Sequence, residues 1–457
     1  MDFLKNLLGN ERLILEKERL RFYGSDYTED LCFLPDAVVF PKNTEEVQKI
    51  VNYGYENNIP MTPRGAGTGL SGGSLPVEGG ISISFEKMND ILSFDKENFQ
   101  IVVQPGVINQ DIRDCVESEG FFYPPDPASK GSSFIGGNIA HNSGGPRAVK
   151  YGVTKDWVLN LEVVLPTGKI VWTGSNTLKN STGYNLTQLM IGSEGTLGII
   201  TKAVLKLMAK PEKNLLLWCP FKTMEDACKA VPSIMGSGVL PSALEIMERK
   251  GVDLALQYTD ASLHIENNHQ AFLLIEVDGP SQEDLMTQAE KIFKTIEAFY
   301  PGEVQLADSA HQKENFWKIR RSIGEVVKQV SIYKEEDAVV PRAYLPKLYK
   351  GVKSIGEKYG FDSVCYGHAG DGNLHVNILK GSMTDQQWQG KDLEKGIREI
   401  FKLCKSLGGT ISGEHGIGWV QKKFMNEIFP DHHLQLFKSI KDVFDPKGLL
   451  NPQKIIE

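Results

Sequence analysis

The stretch PRGAGTGLSGGSLPVEGG, residues 63–80, says more about the architecture of this 457-residue chain than any other segment. It contains G-x-G-x-x-G from Gly67, the pattern of a dinucleotide-binding βαβ unit, and G-x-S-x-G from Gly69, the pattern of a hydrolase nucleophile turn. Both patterns must lead directly into a helix. Pro76 and the strand-like ISISF at 81–85 leave no room for one, so neither motif fits its context.

What remains is a long loop whose backbone N–H groups are hardly covered by side chains and can surround an anion. Two further segments, GGNIAHNSGGPRAVKYG at 136–152 and IGSEGTLGII at 191–200, are similarly rich in glycine and small polar residues. Glycine costs backbone entropy on folding and is favoured where a ligand approaches the main chain. Three such loops therefore predict a large phosphate-bearing cofactor.

The composition is that of an acidic globular protein. Hydrophobic residues make up 41% of the chain, enough for two or three packed domains, and the formal net charge is −8. That balance leaves no broad basic surface, so nucleic-acid binding is not expected. No long uncharged apolar run occurs, so we expect neither a signal peptide nor a transmembrane segment. The six cysteines form no C-x-x-C pair, which argues against disulfides or an iron–sulfur cluster and favours the cytoplasm.

The first part of the chain, residues 1–210, reads as one domain. PDAVVFPKNTEEVQKIVNYGYENNIPMTPRG predicts a strand, a helix and a strand, and Asn43 and Glu46 have the spacing of a capping box at the helix start. Further strands are predicted at 101–107 and in a hairpin at 158–171.

Near Lys210-Pro211, glycine-rich loops give way to a regular alternation of predicted strands and helices, and this change predicts a domain boundary. Downstream, the order β-α-β followed by β-α-β predicts a ferredoxin-like sheet with helices on one face, in a domain that covers residues 211–412. The remaining residues, 413–457, end in a short polar tail that is expected to pack back on the first domain.

The stretch YGHAGDGNLHVNIL, residues 366–379, predicts a β-hairpin, because Asp371-Gly372 is a strong two-residue turn signal. With that turn, His368 and His375 are directly opposed, with Cβ atoms about 5 Å apart, and both could bind one metal ion. A hydrogen-bonded histidine pair explains the same spacing equally well. A third ligand would distinguish the two interpretations.

Taken together, these segments resemble one known family. PRGAGTG with SGG, PPDPAS, GGNIAHNSGG and GSEGTLGII are similar to FAD-linked oxidases of the vanillyl-alcohol-oxidase type. YGHAGDGNLH and SGEHGIG resemble the subgroup of D-lactate dehydrogenases, D-2-hydroxyglutarate dehydrogenases and glycolate oxidase flavoprotein subunits. The resemblance covers nearly the whole chain, from DAVVFPKNTEEV to FDPKGLLNP. It implies an α+β fold with an FAD-binding domain of the PCMH type and a ferredoxin-like cap domain that carries substrate and metal.

The resemblance also implies which residues contact FAD. In the family the first glycine loop holds the pyrophosphate, and other segments surround the ribose and the isoalloxazine. The residues at matching positions here are Arg64, Gly65, Ala66, Gly67, Thr68, Gly69, Ser71, Gly72, Gly73, Pro127, Gly137, Asn138, Asn142, Ser143, Gly144, Glu194, Gly195, Ile200 and Asn451. Some relatives attach the flavin covalently to a histidine of the glycine loop. This loop has none, so noncovalent FAD is expected.

GGTISGEHGIGWVQKK, residues 408–423, supplies the missing ligand. Two histidines and a carboxylate match a catalytic metal site that keeps positions open for substrate. The family's pattern agrees, and it implies His368, His375 and Glu414 as ligands of zinc, or alternatively of manganese, iron or cobalt, with His415 as the base. Taken alone, the segment would be better explained as a flexible loop with a chance acid and histidine, and the histidine pair at 368 and 375 is what favours a ligand.

The resemblance and the chemistry predict that the protein oxidises a small D-2-hydroxy acid to the 2-oxo acid. The metal would bind the substrate's hydroxyl and carboxylate, His415 would accept the proton, and flavin N5 would accept the hydride. For the substrate carboxylate the family's pattern suggests Arg320, with Lys334 and Asn377 as further candidates, although a solvated helix face is the competing explanation for such an arginine. Relatives of the D-2-hydroxyglutarate type have a threonine one turn after the arginine. This chain has Gly324 there, which favours D-lactate or glycolate.

Electrons must leave the reduced flavin, and the chain has no cluster-ligand spacing of its own. An external acceptor is therefore expected: electron-transfer flavoprotein, an iron–sulfur subunit, a quinone or a cytochrome. Such a partner could hold this cytoplasmic protein at the membrane periphery, and a homodimer is a further expectation. The alternatives are D-2-hydroxyglutarate dehydrogenase, a non-redox enzyme of the alkylglycerone-phosphate-synthase type, and a protein that only stores flavin or transfers electrons.

Overall fold

The computed structural model describes residues 1–28 and 31–456, which divide into two compact units. Unit 1 comprises Met1–Gly144, Val153–Lys210 and Glu414–Glu457, and unit 2 comprises Gly145–Gly152 and Pro211–Gly413. Helices and sheets contribute to both units, as the predicted α+β class requires.

The α-helices of the described residues are α1 Asp2–Leu8, α2 Lys17–Tyr23, α3 Thr44–Glu56, α4 Asn109–Glu117, α5 Ile135–His141, α6 Ala148–Tyr151, α7 Leu186–Met190, α8 Met224–Gly236, α9 Arg249–Tyr258, α10 Gln282–Ile296, α11 Ala310–Val330, α12 Leu345–Tyr359, α13 Asp385–Gln389, α14 Lys391–Ser406, α15 Met425–Ile428 and α16 Asp431–Phe444. Within the described residues, no helix combines the length and the apolar character that a membrane span requires.

The strands are β1 Leu13–Ile14, β2 Ala37–Val39, β3 Met61–Arg64, β4 Ile81–Ser84, β5 Ile91–Asp95, β6 Gln100–Val103, β7 Phe121–Phe122, β8 Val158–Val164, β9 Ile170–Trp172, β10 Ile199–Lys206, β11 Met208–Ala209, β12 Lys213–Phe221, β13 Ala243–Glu248, β14 Ala271–Gly279, β15 Gln305–Ala307, β16 Tyr333–Val339, β17 Asp362–Gly367 and β18 Asn373–Leu379.

Unit 1 contains two larger sheets among its described residues, in the orders β1-β2-β4-β3 and β5-β6-β10-β8-β9. β2, β4 and β3 run parallel, and α3 connects β2 to β3, as the strand–helix–strand pattern predicts. The Asn43 side chain accepts a hydrogen bond from the N–H of Glu46 and so caps α3. The predicted hairpin is β8–β9, in which Val164 pairs with Ile170.

The glycine-rich loops are confirmed in part. Residues 65–80 connect β3 to β4 without any helix among them, which rules out both helix-dependent motifs. The segment 136–152, however, is only partly a loop, because it begins within α5. Ile135 and Ile139 lie one turn apart, are fully buried and hold one face of this helix in the core. Asn142 ends α5 in the left-handed conformation, with φ 53°.

The C-terminal tail extends the first sheet of unit 1. Leu450 forms a parallel bridge with Met61 of β3, and the N–H of Asn451 donates to the Met61 carbonyl at 2.7 Å. Leu450 is fully buried in the same apolar core as Met61 and Ile81. The segment that starts at Glu414 is thus built into unit 1 by both main-chain and apolar contacts.

Unit 2 contains one antiparallel sheet among its described residues, in the order β15-β12-β14-β13-β17-β18-β16. Its first four strands, taken in chain order as 1 to 4, are arranged 4-1-3-2, with α8 and α10 as the crossover helices. This is the ferredoxin-like arrangement that the sequence predicts. β17, β18 and β16 extend it beyond β13.

The prediction that helices cover only one face of this sheet was incomplete. α8 and α10 pack together against β12 and β14, while α9 and α11 form a second layer whose core includes Trp218, Met247, Val252, Phe316 and Ile323. The physical reason lies in the strands. β14 is buried at every residue from 271 to 278, so both of its faces are covered.

The units divide at 210/211, the predicted position, and at 413/414 in place of the predicted 412/413, but the short segment 145–152 departs from the predicted division. Residues 145–152 fall in unit 2, because Arg147 and Lys150 form ion pairs with the buried carboxylates of Glu276 and Asp278. The Tyr151 hydroxyl donates to Asp278 at 2.6 Å. Sequence alone could not show which carboxylates this short basic segment would meet.

Candidate active site

The three glycine-rich segments line one cavity of unit 1, the second of them through residues 136–141. Each contributes to its lining, together with Phe85 and Pro105. The predicted cofactor residues in the lining are Arg64, Gly65, Gly73, Gly137, Glu194, Gly195 and Ile200. The other predicted residues, Ala66, Gly67, Thr68, Gly69, Ser71, Gly72, Pro127, Asn138, Asn142, Ser143, Gly144 and Asn451, belong to the same unit but do not line this cavity.

The glycines give this cavity the form of a cradle. A Cβ added at Gly137 would meet no atom within 4 Å, so the main chain of α5 faces open space there. A Cβ added at Gly65 would lie 3.7 Å from the Gly137 Cα, so the two chain segments come close together at the wall. Bare main chain around open space fits a large cofactor with phosphate groups.

Arg64 supports the first loop from behind. Its guanidinium donates to the main-chain oxygens of Ser25 at 2.8 Å and Tyr23 at 3.4 Å, and a Cβ at Gly67 would overlap it. Burial lowers the pKa of the Arg64 guanidinium from its usual value, and the neighbouring Asp26 carboxylate opposes that shift. Through these contacts the Arg64 side chain stabilises the loop. Arg64 also lines the cavity, and this position is the observation that agrees with its predicted contact to the cofactor.

Glu194 and Asn451 join the loops of unit 1. The Glu194 carboxylate accepts hydrogen bonds from the N–H groups of Ile417 and Gly418, each at 2.7 Å. The Asn451 amide donates to the carbonyls of Gly73 and Glu194 at 3.0 and 2.7 Å. Glu194 and Asn451 have φ values of 51° and 44°, a strained conformation that no sequence pattern indicates.

Other predicted cofactor residues are engaged with protein groups. The Ser71 hydroxyl donates to the His415 carbonyl at 3.0 Å. The Asn138 amide is hydrogen-bonded to Asn109 and Ser133 in the buried layer beneath α5. These contacts shape the loops, which is how the two side chains contribute to the cavity.

Glu414 and His415 are half-buried neighbours in unit 1. Oε1 of Glu414 lies 4.0 Å from Nε2 of His415. A Cβ added at Gly144 would lie 2.9 Å from the Glu414 carboxylate, so the absence of a side chain at position 144 makes room for this acid.

The predicted histidine hairpin forms in unit 2, but with a different register. β17 and β18 pair with Tyr366, not His368, opposite His375. The prediction of a two-residue turn at Asp371-Gly372 was wrong. Residues 369–371 form a 3₁₀ turn, in which the N–H of Asp371 donates to the His368 carbonyl. The two imidazoles nevertheless meet. Their ring centroids are 5.2 Å apart and a nitrogen of each lies within 4.8 Å of the other.

Glu245 holds His368 in place, and sequence reasoning missed it. This fully buried carboxylate lies 2.8 Å from Nδ1 of His368 and 2.6 Å from Nη2 of Arg320. Burial opposes its ionisation, but His368 and Arg320 outweigh burial and keep the pKa of Glu245 below its usual value. A carboxylate on Nδ1 is the usual support of a histidine that ligates a metal through Nε2. The available signal was a charged residue inside the apolar run SALEIM.

The remaining predicted substrate residues are distributed over two sheet faces. Strand alternation places Asn377 on the face of His375, where it is fully buried, and the Arg320 guanidinium lies 4.8 Å from the centre of the Tyr366 ring. Lys334 pairs with Ile378 in β16–β18, so its Cβ points to the opposite face. The structure therefore places Asn377 and Arg320 on the histidine-bearing side of the sheet, whereas the main chain directs Lys334 to the other side.

Two family models match the chain. A FAD binding domain matches residues 35–174, and the C-terminal domain of FAD linked oxidases matches residues 210–455, more than half of the sequence. The chain belongs to the FAD-linked oxidases. The predicted family is thereby confirmed, and this FAD-linked oxidase is an oxidoreductase whose glycine-lined cavity fits FAD.

Curated relatives of this FAD-linked oxidase are similar over almost their whole length. The glycolate oxidase subunit GlcD of Bacillus subtilis is 40% identical, over 95% of this chain and 91% of its own. A D-lactate dehydrogenase of Anaerostipes hadrus is 38% identical, over 94% of this chain and 93% of its own. A D-2-hydroxyglutarate dehydrogenase of Stutzerimonas stutzeri is 32% identical, over 100% of this chain and 98% of its own.

Solved structures confirm the predicted fold. p-Cresol methylhydroxylase superposes with a TM-score of 0.79 at 18% identity, covering 99% of this chain and 96% of its own. Alkyldihydroxyacetonephosphate synthase superposes with a TM-score of 0.78 at 20% identity, covering 99% of this chain and 84% of its own. At such identities the likeness concerns the fold alone.

Proposed function

We propose that this FAD-linked oxidase oxidises a small D-2-hydroxy acid, D-lactate or glycolate in preference to D-2-hydroxyglutarate, with the help of a divalent metal ion. The observation that carries the proposal is the pair His368 and His375, with Glu245 fixed on Nδ1 of the first. A carboxylate behind a histidine is the usual support of a metal ligand. The names of the three relatives agree with the substrate class.

The glycine-lined cavity of unit 1 would hold FAD, with the main chain at Gly65 and Gly137 as its wall. Bound FAD supplies the acceptor for the hydride from the substrate's C2. A bound divalent metal ion lowers the pKa of the substrate's hydroxyl and orients it. His368 and His375 are two of the proposed metal ligands. Glu414, which the sequence pattern predicts as a ligand, is the proposed third.

The chain's own residues would then handle the proton and the carboxylate. His415 accepts the hydroxyl proton near neutral pH. Arg320, whose Nε has no partner among the described residues, and Asn377 lie on the histidine face and would bind the carboxylate. Lys334 stays a prediction from the resemblance. Two electrons per turnover must pass to an external acceptor, and the acceptor, like the homodimer, also stays a prediction.

Replacement of the proposed base tests this function. In His415→Ala, flavin reduction by D-lactate or glycolate at pH 7 should slow by about 100-fold or more while FAD content is unchanged. His432→Ala, on the exposed side of α16, is the matched control and should keep the wild-type rate. A His415→Ala protein that reduces its flavin within a few-fold of the wild-type rate would remove His415 from the reaction.

A further inference from the structure

A tight packing pair joins α11 to the sheet of unit 2 beside Arg320, one of the proposed substrate residues. Gly324 lies on α11 one turn after Arg320, and a Cβ added to it would lie 2.8 Å from the Tyr366 hydroxyl. Tyr366 itself is 5% exposed. The phenol therefore occupies the space that any side chain at position 324 would need.

The same phenol is framed by the groups proposed to bind the substrate. The Arg320 guanidinium stacks on the Tyr366 ring, 4.8 Å from its centre. The Tyr366 hydroxyl lies 3.5 Å from a carboxylate oxygen of Glu335. Among the described residues, the buried Nε of Arg320 has no hydrogen-bond partner. Buried polar groups without partners are uncommon and mark a place where a polar ligand group can bind.

The charges around this place limit what can bind. Glu245, Glu335 and Asp337 all belong to the histidine-bearing face, as strand pairing and alternation show. Arg320 is the cation that touches the phenol, and it is already paired with Glu245. A second carboxylate on the substrate that reached the phenol would lie beside the Glu335 carboxylate, at a cost in affinity.

We propose that Tyr366, seated in the notch at Gly324 and stacked on Arg320, is a specificity-determining residue that restricts this enzyme to 2-hydroxy acids with one carboxylate and a short side chain. The inference rests on the proposed function. The ring closes the space beyond the substrate's C3, and the surrounding acids disfavour a distal carboxylate.

The test compares kcat/KM for D-lactate, D-2-hydroxycaproate and D-2-hydroxyglutarate in the wild type and in Tyr366→Ala. Because ratios are measured within one preparation, any unfolded fraction cancels. Removing the ring should shift the ratio of hydroxycaproate to lactate upward by about tenfold or more. Hydroxyglutarate should gain less, since the acids remain. Tyr366→Phe, which keeps the ring, is the control and should leave the ratios within about threefold.

A double-mutant cycle provides the second measurement. Gly324→Ala should lower kcat/KM for D-lactate several-fold, because its methyl group displaces the Tyr366 hydroxyl, and Gly324→Ala with Tyr366→Phe should restore it. Gly236→Ala, whose Cβ would meet no atom within 4 Å, is the matched control in α8.

The outcomes separate the two proposals. A wild-type enzyme whose flavin is reduced neither by these three acids nor by glycolate would overturn the proposed function. The role of Tyr366 alone would be overturned if D-lactate reduces the wild-type flavin but one of two results is seen. The first is an unchanged ratio of kcat/KM for hydroxycaproate to lactate in Tyr366→Ala, and the second is no recovery of kcat/KM for lactate in Gly324→Ala with Tyr366→Phe.

Discussion

Single buried residues carry much of the proposed chemistry, and Glu245 is the clearest. It touches His368 and Arg320 at once and is fully buried. We expect Glu245→Gln to weaken binding of the divalent metal by about 10- to 100-fold, because the anion that orients His368 is lost. Competition with a chelator during metal titration measures this.

Glu276→Gln is the matched control for that experiment. Glu276 is an equally buried glutamate of unit 2, and its side-chain partners are Trp317, Arg147 and Ser242, not a histidine. If Glu245→Gln retains metal as tightly as Glu276→Gln and the wild type, His368 is not a metal ligand held by a carboxylate.

A substitution at Gly137 should change FAD binding and stability in opposite directions. Alanine there should raise the unfolding free energy of the apoprotein by about 0.5–1 kcal/mol, because the position is helical and a Cβ meets no protein atom. The same methyl group would enter the cradle and weaken FAD binding by about tenfold or more. Denaturant unfolding of the apoprotein and flavin fluorescence titration measure the two effects. Gly131→Ala, exposed and away from the cavity lining, should leave FAD affinity unchanged.

Lys454 predicts a pH dependence of stability. Burial lowers the pKa of this lysine from 10.5 to about 8, partly offset by Glu194. Between pH 8 and 10.5 the unfolded chain binds the proton more often than the folded one, so this residue makes stability rise with pH by up to about 3 kcal/mol. Below pH 8 its contribution is constant. Urea unfolding at pH 7.5 and 10 should show that rise in the wild type and a smaller one in Lys454→Met; equal rises would contradict the burial of a charged lysine.

At the scale of elements, the Glu194 carboxylate fastens the segment 414–418 to the glycine loop of unit 1. Loss of its two charge-assisted hydrogen bonds should speed amide hydrogen exchange at Ile417 and Gly418 by about tenfold. Exchange measured by mass spectrometry on Glu194→Ala checks this. Ser193→Ala, whose hydroxyl bonds only within its own turn at Met190, is the control. Equal protection in both variants would show that other contacts hold the segment.

Local sequence signals predicted many elements correctly because they act locally. The cap at Asn43, the loop without a helix at 65–80 and the ferredoxin-like strand order all follow from turn, cap and periodicity rules. The register of the histidine hairpin did not, because a 3₁₀ turn at 369–371 replaced the two-residue turn. Each type of turn suits the same Asp-Gly sequence, and the strand pairs on either side select between them.

Contacts between distant parts of the chain were out of reach of sequence patterns. Glu245 is separated from His368 by 123 positions, and Arg147 from Glu276 by 129. Nothing in the local spacing of either residue indicates its partner. Family resemblance supplied the position of Arg320, whereas its pairing with Glu245 and its stacking on Tyr366 required the structure.

The whole molecule combines an FAD-binding unit with a unit that carries paired histidines, and we propose that it oxidises a small D-2-hydroxy acid with the help of a metal ion. The family models establish the flavoprotein class for the chain as a whole. Substrate and metal are what the proposal adds.

The most direct test is the visible spectrum of the purified flavoprotein under anaerobic conditions, recorded before and after addition of D-lactate, L-lactate, glycolate and D-2-hydroxyglutarate in turn. We expect bleaching of the flavin band by D-lactate or glycolate, little or none by L-lactate and D-2-hydroxyglutarate, and loss of the response after treatment with a chelator. Bleaching that persists without metal would contradict the role of His368 and His375, and a flavin that none of the four acids reduces would contradict the proposed reaction itself.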